Sequence, residues 1–323
     1  MFAARCIGVS LAVFVLLYVS LSLAISRGWK LMRRIFRPRS ARGSADLLFV
    51  LRVLPLTLSS VVTLAFTLPS FLLLEPRSTN EAIGTAPLAL GFCCLILLGI
   101  GIARASIAQL RASRALRKWL DGSMPMGSQI MESGDGVPIF RTGNDAPSLT
   151  VAGVCVPKVL VSEAAVAMLN PPELRTALRH EIAHALRYDN LKKLVFRFSA
   201  FPAMADLEHA WSEKTEMAAD DAAVSSFRDA LDLAAALIKV SRLGPIESYG
   251  ELTMALLHSS TALSARVQRL VAWDVARDNV QKQQTHGRWL YALPAAAATV
   301  IGVVATYGSV LARMHAVTEW LVR

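Results

Sequence analysis

Four runs of this chain each come close to the roughly 20 consecutive apolar residues that a bilayer crossing requires. They cover residues 7–25, 53–74, 83–103 and 290–312, and none carries a charged side chain in its interior; Arg52 stands just outside the second. The whole chain shares this character. Its 323 residues are 54% hydrophobic, with a mean hydropathy of +0.45, too apolar for an ordinary soluble domain of this size. The third run, interrupted by Gly91, Gly99 and Gly101, is the one most easily read instead as a buried core helix.

Charge placement orients the runs. A cleaved signal peptide at the N-terminus would export the segment that follows, which holds Arg27, Lys30, Arg33, Arg34, Arg37, Arg39 and Arg42 before its first acid, Asp46. So many basic residues mark a cytoplasmic loop (26–46), and the first run is therefore expected to stay as a span. The loop with Glu75, Arg77 and Glu81 is expected outside. Arg104, Arg111, Arg114, Arg117 and Lys118 return the chain to the cytoplasm. The expected plan is three spanning helices (1–112), a cytoplasmic region (113–288), and a fourth span with a short external tail (289–323). Both termini would lie outside a bacterial inner membrane.

The net charge of +10 does not point to nucleic acid. Residues 104–289 hold 22 Lys+Arg against 20 Asp+Glu, so most of the excess flanks the spans, where it fits anionic lipid headgroups. The bilayer is thus an expected partner and nucleic acid is not. Cys6, Cys93, Cys94 and Cys155 form no CxxC pair and support neither a disulfide framework nor a thiolate metal site.

Residues 104–120 carry basic side chains at helical spacing, as expected of a helix leaving the membrane. Residues 121–147 read as loop with a short strand near 137–141, and 148–162 as two short strands or one bent at Gly153 and Pro157. From Asn170 onward the pattern is wholly helical. Asn170-Pro171-Pro172-Glu173 is a helix start with capping-box spacing. The lack of a later Gly or Pro predicts one helix running well past Asp189. Leu174, Leu178, Ile182 and Leu186 form its apolar stripe.

That helix carries His180-Glu181-Ile182-Ala183-His184. Histidines four apart project from one face, so two neutral imidazoles can take adjacent corners of a tetrahedral zinc site. Glu181 is placed to exchange a proton with water at the metal. The chain has six histidines, which makes such a pattern on a capped helix improbable by chance. A third ligand must come from elsewhere, and the acid-rich segment 208–221 is the natural source. Glu216 and Asp220 share a helical face there, with Glu216 suited to the metal and Asp220 to the free nitrogen of a ligand imidazole. Glu213 and His209 are reserves. Asp189 either braces a histidine or lies exposed. The group that would stabilise an oxyanion stays open among His209, His258 and Arg266.

The run Glu173-Leu174…Leu178-Arg179-His180-Glu181-Ile182-Ala183-His184…Asp189-Asn190 resembles the membrane zinc peptidases of the bacterial beta-lactam-sensor (BlaR/MecR) type, relatives of the HtpX and Ste-type peptidases. The likeness continues in Glu216…Asp220, in Gly153…Pro157 and in Leu263…Arg266-Val267-Gln268-Arg269-Leu270. It covers about residues 147–272, plus three spans before the insert and one after. The resemblance implies a mainly α, gluzincin-like peptidase insert with a small β-sheet. It implies one Zn2+ held by His180, His184 and Glu216, with Glu181 as general acid/base and Asp220 in support. The strand region 148–162 would pair with an extended protein or peptide substrate, in that family a cytoplasmic transcriptional repressor. The sensors also carry a penicillin-binding domain after the last span. Here about a dozen residues follow Ala312, so no beta-lactam-binding domain is expected in this chain. The competing expectation is a membrane signalling scaffold that keeps the peptidase fold without turnover. A transporter fits less well, because the spans lack the intramembrane ionisable groups that mark many ion pathways.

Overall fold

The computed structural model describes residues 2–32, 40–75, 84–126, 136–199, 201–243, 254–255, 260–273 and 306–319. These are mostly helical, with a small mixed sheet. Three helices are long and apolar enough to cross a membrane: Phe2–Met32, Ala41–Leu74 and Thr85–Leu120. The first is α1. The second is α2 (Ala41–Val62) running through a π turn (Thr63–Thr67) into α3 (Leu68–Leu74), and the third is α4. Of the expected fourth span, residues 290–305 lie outside the described residues, while 306–319 are helical. The boundary expected at residue 112 falls inside α4, which runs unbroken to Leu120.

Local chemistry explains several of these limits. Ser40 caps α2 by accepting the Gly43 amide. Pro55 and Pro69 each remove a backbone donor from α2–α3, and the π turn takes up the register between them. The helix therefore begins twelve residues before the apolar run at 53. Arg52, expected at a membrane-flanking position, is instead an interior helical residue and 2% exposed.

The sheet has five strands in the order β1-β2-β4-β3-β5. They are β1 (Met124–Pro125), β2 (Ile139–Thr142), β3 (Leu149–Ala152), β4 (Lys158–Ser162) and β5 (Met254–Ala255). β2 runs parallel to β4, and the other pairs are antiparallel. The β3–β4 hairpin turns at Gly153, whose φ of 95° suits glycine, and Pro157. β5 corrects the expectation of a wholly helical segment after Asn170. A two-residue strand has too little periodicity to show in sequence.

Helices α5 (Glu163–Met168), α6 (Pro171–Leu186), α7 (Asp189–Phe198), α8 (Ala205–Ala223), α9 (Phe227–Ser241) and α10 (Ser260–Val271) complete the fold. The core of this part packs Leu174, Ala177, Leu178 and Ile182 of α6 between the inner face of the sheet (Val151, Val159, Val161) and Leu233 and Leu237 of α9. Leu186, expected in the buried stripe, is 53% exposed.

The helical part and the long apolar helices share a second core. Ala45 and Leu48 of α2 meet Phe196, Leu207 and Trp211, with Trp29 of α1 against them. At its centre Arg52 donates to Glu208 Oε1 from Nε (2.9 Å) and Nη2 (2.7 Å), to Ser199 Oγ (2.9 Å) and to the Ser199 carbonyl (2.6 Å). A buried guanidinium holds such a position only when its donors are met. The turn after α7 also reaches between the helices. Phe201 packs edge-on to Tyr18 of α1 (5.9 Å), and Phe198 lies against Gly101 of α4. A Cβ at Gly101 would collide with the Phe198 carbonyl oxygen, whereas one at Gly99 meets nothing within 4 Å. Gly101→Ala is therefore expected to destabilise the protein by about 1–3 kcal/mol through overpacking, and Gly99→Ala to leave it unchanged. Thermal unfolding of both variants in detergent checks this.

Candidate metal centre

Helix α6 opens with the expected capping box. Asn170 Oδ1 accepts the Glu173 amide and the Glu173 carboxylate accepts the Asn170 amide, both at 2.9 Å. Lys239 of α9 donates to the same carboxylate at 2.7 Å and 2.8 Å, fixing the start of α6 against α9. The expectation of one helix running past Asp189 fails at the other end. Arg187 caps α6, Tyr188 adopts φ 52° in the left-handed region, and α7 begins at Asp189. A left-handed tyrosine carries no sequence signal, since this conformation is usually given to Gly or Asn. Asn190 holds the new helix in place by donating to the carbonyl of Val151 in β3 and that of Gly153 in the turn after it, at 3.0 Å and 3.1 Å.

This break swings Asp189 back onto the histidines. Asp189 Oδ2 lies 2.9 Å from His184 Nδ1, and Asp220 Oδ1 of α8 lies 3.0 Å from His180 Nδ1. Both Nε2 atoms are thereby turned toward one point. They stand 3.1 Å apart, with the Glu216 oxygens 3.6 Å from His180 Nε2 and 3.7 Å from His184 Nε2. A tetrahedral zinc about 2.0–2.1 Å from each ligand sets its donors roughly 3.3–3.4 Å apart, so this spacing fits such an ion. The three side chains are 0–5% exposed.

Burial and charge set the protonation of the metal-free site. Burial works against a proton on His180, but hydrogen bonds to Asp220 and Glu216 outweigh it and lift the ring to about 9. Burial alone dominates His184 and lowers it. Burial also opposes ionisation of Asp220, yet Arg266 and the His180 hydrogen bond bring it down to about 2. Glu216 is held well below the usual carboxylate range, with Arg266 and His184 overcoming its burial. Glu181 shows the contrary balance. Its carboxylate is buried with no side-chain hydrogen-bond partner among the described residues, and burial pushes it up to about 8 against the pull of His180, Arg266 and the Val151 backbone.

Arg266 joins the cluster from α10. It lies 2.8 Å from Glu216 Oε2 and donates to Asp220 at 2.6 Å and 2.9 Å. It was one of three candidates for stabilising an oxyanion; here it neutralises two carboxylates. Of the others, His209 is 77% exposed in its side chain, 3.5 Å from Glu213, and both reserves face away from the centre. His258 lies outside the described residues. One nearby residue was missed. Lys193 stands one turn after Asp189, and burial lowers its ammonium to about 8 against the pull of Glu216 and Asp189. Its i, i+4 spacing from Asp189 was the available signal.

A second group, Glu75, His315 and Glu319, also has donors close together, but Arg5 already pairs with Glu75 at 3.1 Å. The four cysteines are free, with Cys93 and Cys155 exposed and Cys6 and Cys94 buried.

No protein-family model matches the sequence, and no curated protein matches it either. The functional reading therefore rests on the geometry of this centre.

A pH dependence follows. The folded-state value of His180 is raised from 6.5 to about 9, so its protonation stabilises the metal-free fold fully below pH 6.5 and ceases to as pH rises through about 9. Zinc needs the ring neutral. Zinc affinity is thus expected to climb across the same window, with release of about one proton per ion at pH 7. Calorimetric titration in two buffers of different ionisation enthalpy measures this; affinity flat across that range contradicts it.

Proposed function

We propose that this chain is a zinc-dependent metallopeptidase embedded in a membrane, hydrolysing peptide bonds of a cytoplasmic or membrane-proximal protein. The observation that carries this reading is the convergence of His180 Nε2, His184 Nε2 and a Glu216 carboxylate within 3.1–3.7 Å of one another, with Glu181 beside them on α6. Three protein ligands leave one position for water or substrate, which is the pattern of a catalytic zinc site. When bound there, zinc supplies Lewis acidity toward water and the scissile carbonyl.

The remaining chemistry belongs to the chain. Glu181 accepts a proton from the attacking water and returns it to the leaving amine. Burial raises this carboxyl in the metal-free site, and the charge of a bound zinc would favour the ionised form that a base requires. Asp220 and Asp189 hold the two rings by Nδ1, leaving each Nε2 to face the ion. Arg266 offsets the charge of Glu216 and Asp220 within the buried site.

An extended substrate would pair with the sheet beside α6. The outer edge of β3 is taken by β5 in the register Thr150↔Ala255 and Val151↔Met254, so a substrate strand added at that edge must replace β5. The resemblance to the sensor-type peptidases supports a repressor as the substrate class. It also supports four spans, while the distribution of basic residues supports both termini outside and the candidate centre on the cytoplasmic side of a bacterial inner membrane. The three long apolar helices are consistent with a membrane protein.

Purified in detergent, the wild-type protein is expected to hold one zinc per chain, and His180→Ala and Glu216→Ala far less, by elemental analysis. Glu181→Gln is expected to keep its zinc and lose about 10²–10⁴-fold in cleavage of a casein-type substrate. Equal zinc in wild type and His180→Ala would remove the metal centre; undiminished cleavage by Glu181→Gln would remove the base. Zinc retained without any cleavage by wild type would favour the non-catalytic scaffold.

A further inference from the structure

Between α6 and α8, and lined by neither the two histidines nor Glu216, lies an open groove of about 560 Å³. Its polar lining is set by Arg42 at the start of α2 and by Arg179 and Arg187 of α6, and its floor includes Ile182, Leu186 and Ala222. No carboxylate is among the described residues that line it. The volume falls within the range of ordinary ligand sites.

Arg187 is the informative member. Its Nε, Nη1 and Nη2 are all buried, and none has a hydrogen-bond partner among the described residues. Asp46 Oδ1 at 3.5 Å and Asp189 Oδ1 at 3.7 Å balance its charge in part without satisfying its donors. Arg179 is likewise only distantly paired, with Asp229 at 3.9 Å. A guanidinium has five N–H donors, and leaving them buried and unmet is costly, so the site is built for an acceptor supplied from outside. An oxyanion with an apolar portion matches both the arginines and the floor.

Depth within the bundle selects the source. Ser199 binds Arg52 of α2 and Phe201 packs on Tyr18 of α1, so Arg52 stands level with Tyr18, which lies inside the apolar run 7–25. Trp29 of α1 packs against Ala45 and Leu48 of α2, so the two helices run antiparallel. Arg42 is ten residues before Arg52, about 15 Å along the helix, which brings it level with the basic end of α1 carrying Arg27 and Lys30. On the membrane reading of these helices, that level corresponds to headgroup depth.

We propose that this groove binds the phosphate headgroup of an anionic phospholipid. The phosphate oxygens accept from Arg187 and Arg42, and the glycerol and first acyl carbons rest on Ile182 and Leu186. Because α6 and α8 form its walls and also carry the metal ligands, a bound lipid would brace the centre. The inference rests on the membrane reading of α1, α2 and α4 and not on peptidase activity, so its test needs no substrate.

The test uses the full chain in a neutral maltoside detergent. Native mass spectrometry counts bound dioctanoyl phosphatidylglycerol, with dioctanoyl phosphatidylcholine and inorganic phosphate as comparators. One saturable phosphatidylglycerol per chain is expected, with phosphatidylcholine and inorganic phosphate each binding at least about ten-fold more weakly. Arg42→Gln and Arg187→Gln should each weaken phosphatidylglycerol about five- to ten-fold, and Arg111→Gln, an exposed arginine of α4, should not. Arg42 is itself exposed, so its variant serves if Arg187→Gln fails to fold. Inorganic phosphate binding as tightly as the lipid overturns the lipid source, and phosphatidylcholine binding equally overturns the role of the anionic headgroup. Unchanged lipid affinity in Arg42→Gln overturns the site. Zinc content, measured on the same samples, reports separately on the metal centre.

Discussion

Two carboxylates that are not candidate ligands decide where both imidazoles point. Asp220 holds His180 and Asp189 holds His184, each through Nδ1 at about 3 Å, and only then do the Nε2 atoms face each other. Imidazole is symmetrical enough to bind through either nitrogen, so a ring without such a partner would turn freely and lose the geometry. The arrangement puts several carboxylates into the interior, where unpaired charge is prohibitive. Arg266 offsets Glu216 and Asp220, while Arg187 and Lys192 stand near Asp189. Glu181 is the exception, buried without a side-chain hydrogen-bond partner among the described residues, and its raised value reflects that burial.

The backbone serves this constraint at three places. The left-handed Tyr188 ends α6 one turn after His184 and returns the chain at the angle that delivers Asp189. Asn190 then pins α7 to the β3 edge through two carbonyls, tying the histidine brace to the sheet. Helix α8, which carries Glu216 and Asp220, is held near its other end by the Arg52–Glu208 pair from α2. The position of Glu216 is thus set from the long apolar helices as well as from the helical core around α6.

What could be read from the sequence was local and periodic. The capping box at Asn170, the i, i+4 histidines and the i, i+4 pair Glu216 and Asp220 all depend on spacing within one helix, and the structure brings them together. The break at Gly153 and Pro157 was legible for the same reason, since glycine permits positive φ and proline fixes φ, and the structure resolves the two readings in favour of two strands. The break at Tyr188 was not, because tertiary contacts there overrule residue preference. Nor was the role of Arg52. A lone arginine at the edge of an apolar run looks like a membrane flank, and its partners Ser199 and Glu208 are about 150 residues away, beyond any local pattern. β5 shared that fate: its partners lie in β3, and two residues leave no periodic trace.

The turn bearing Phe198 and Phe201, lodged among α1, α2 and α4, has a consequence for how this molecule can be divided. Excising the stretch between the third and fourth apolar runs would not yield a free-standing water-soluble fragment. It would strip Phe196, Leu207 and Trp211 of the helix that covers them and leave Glu208 without its guanidinium. Cutting the other way would leave Arg52 as an uncompensated cation among apolar neighbours. The long apolar helices and the part that carries the histidine cluster thus share a core at their junction, and neither is merely attached to the other.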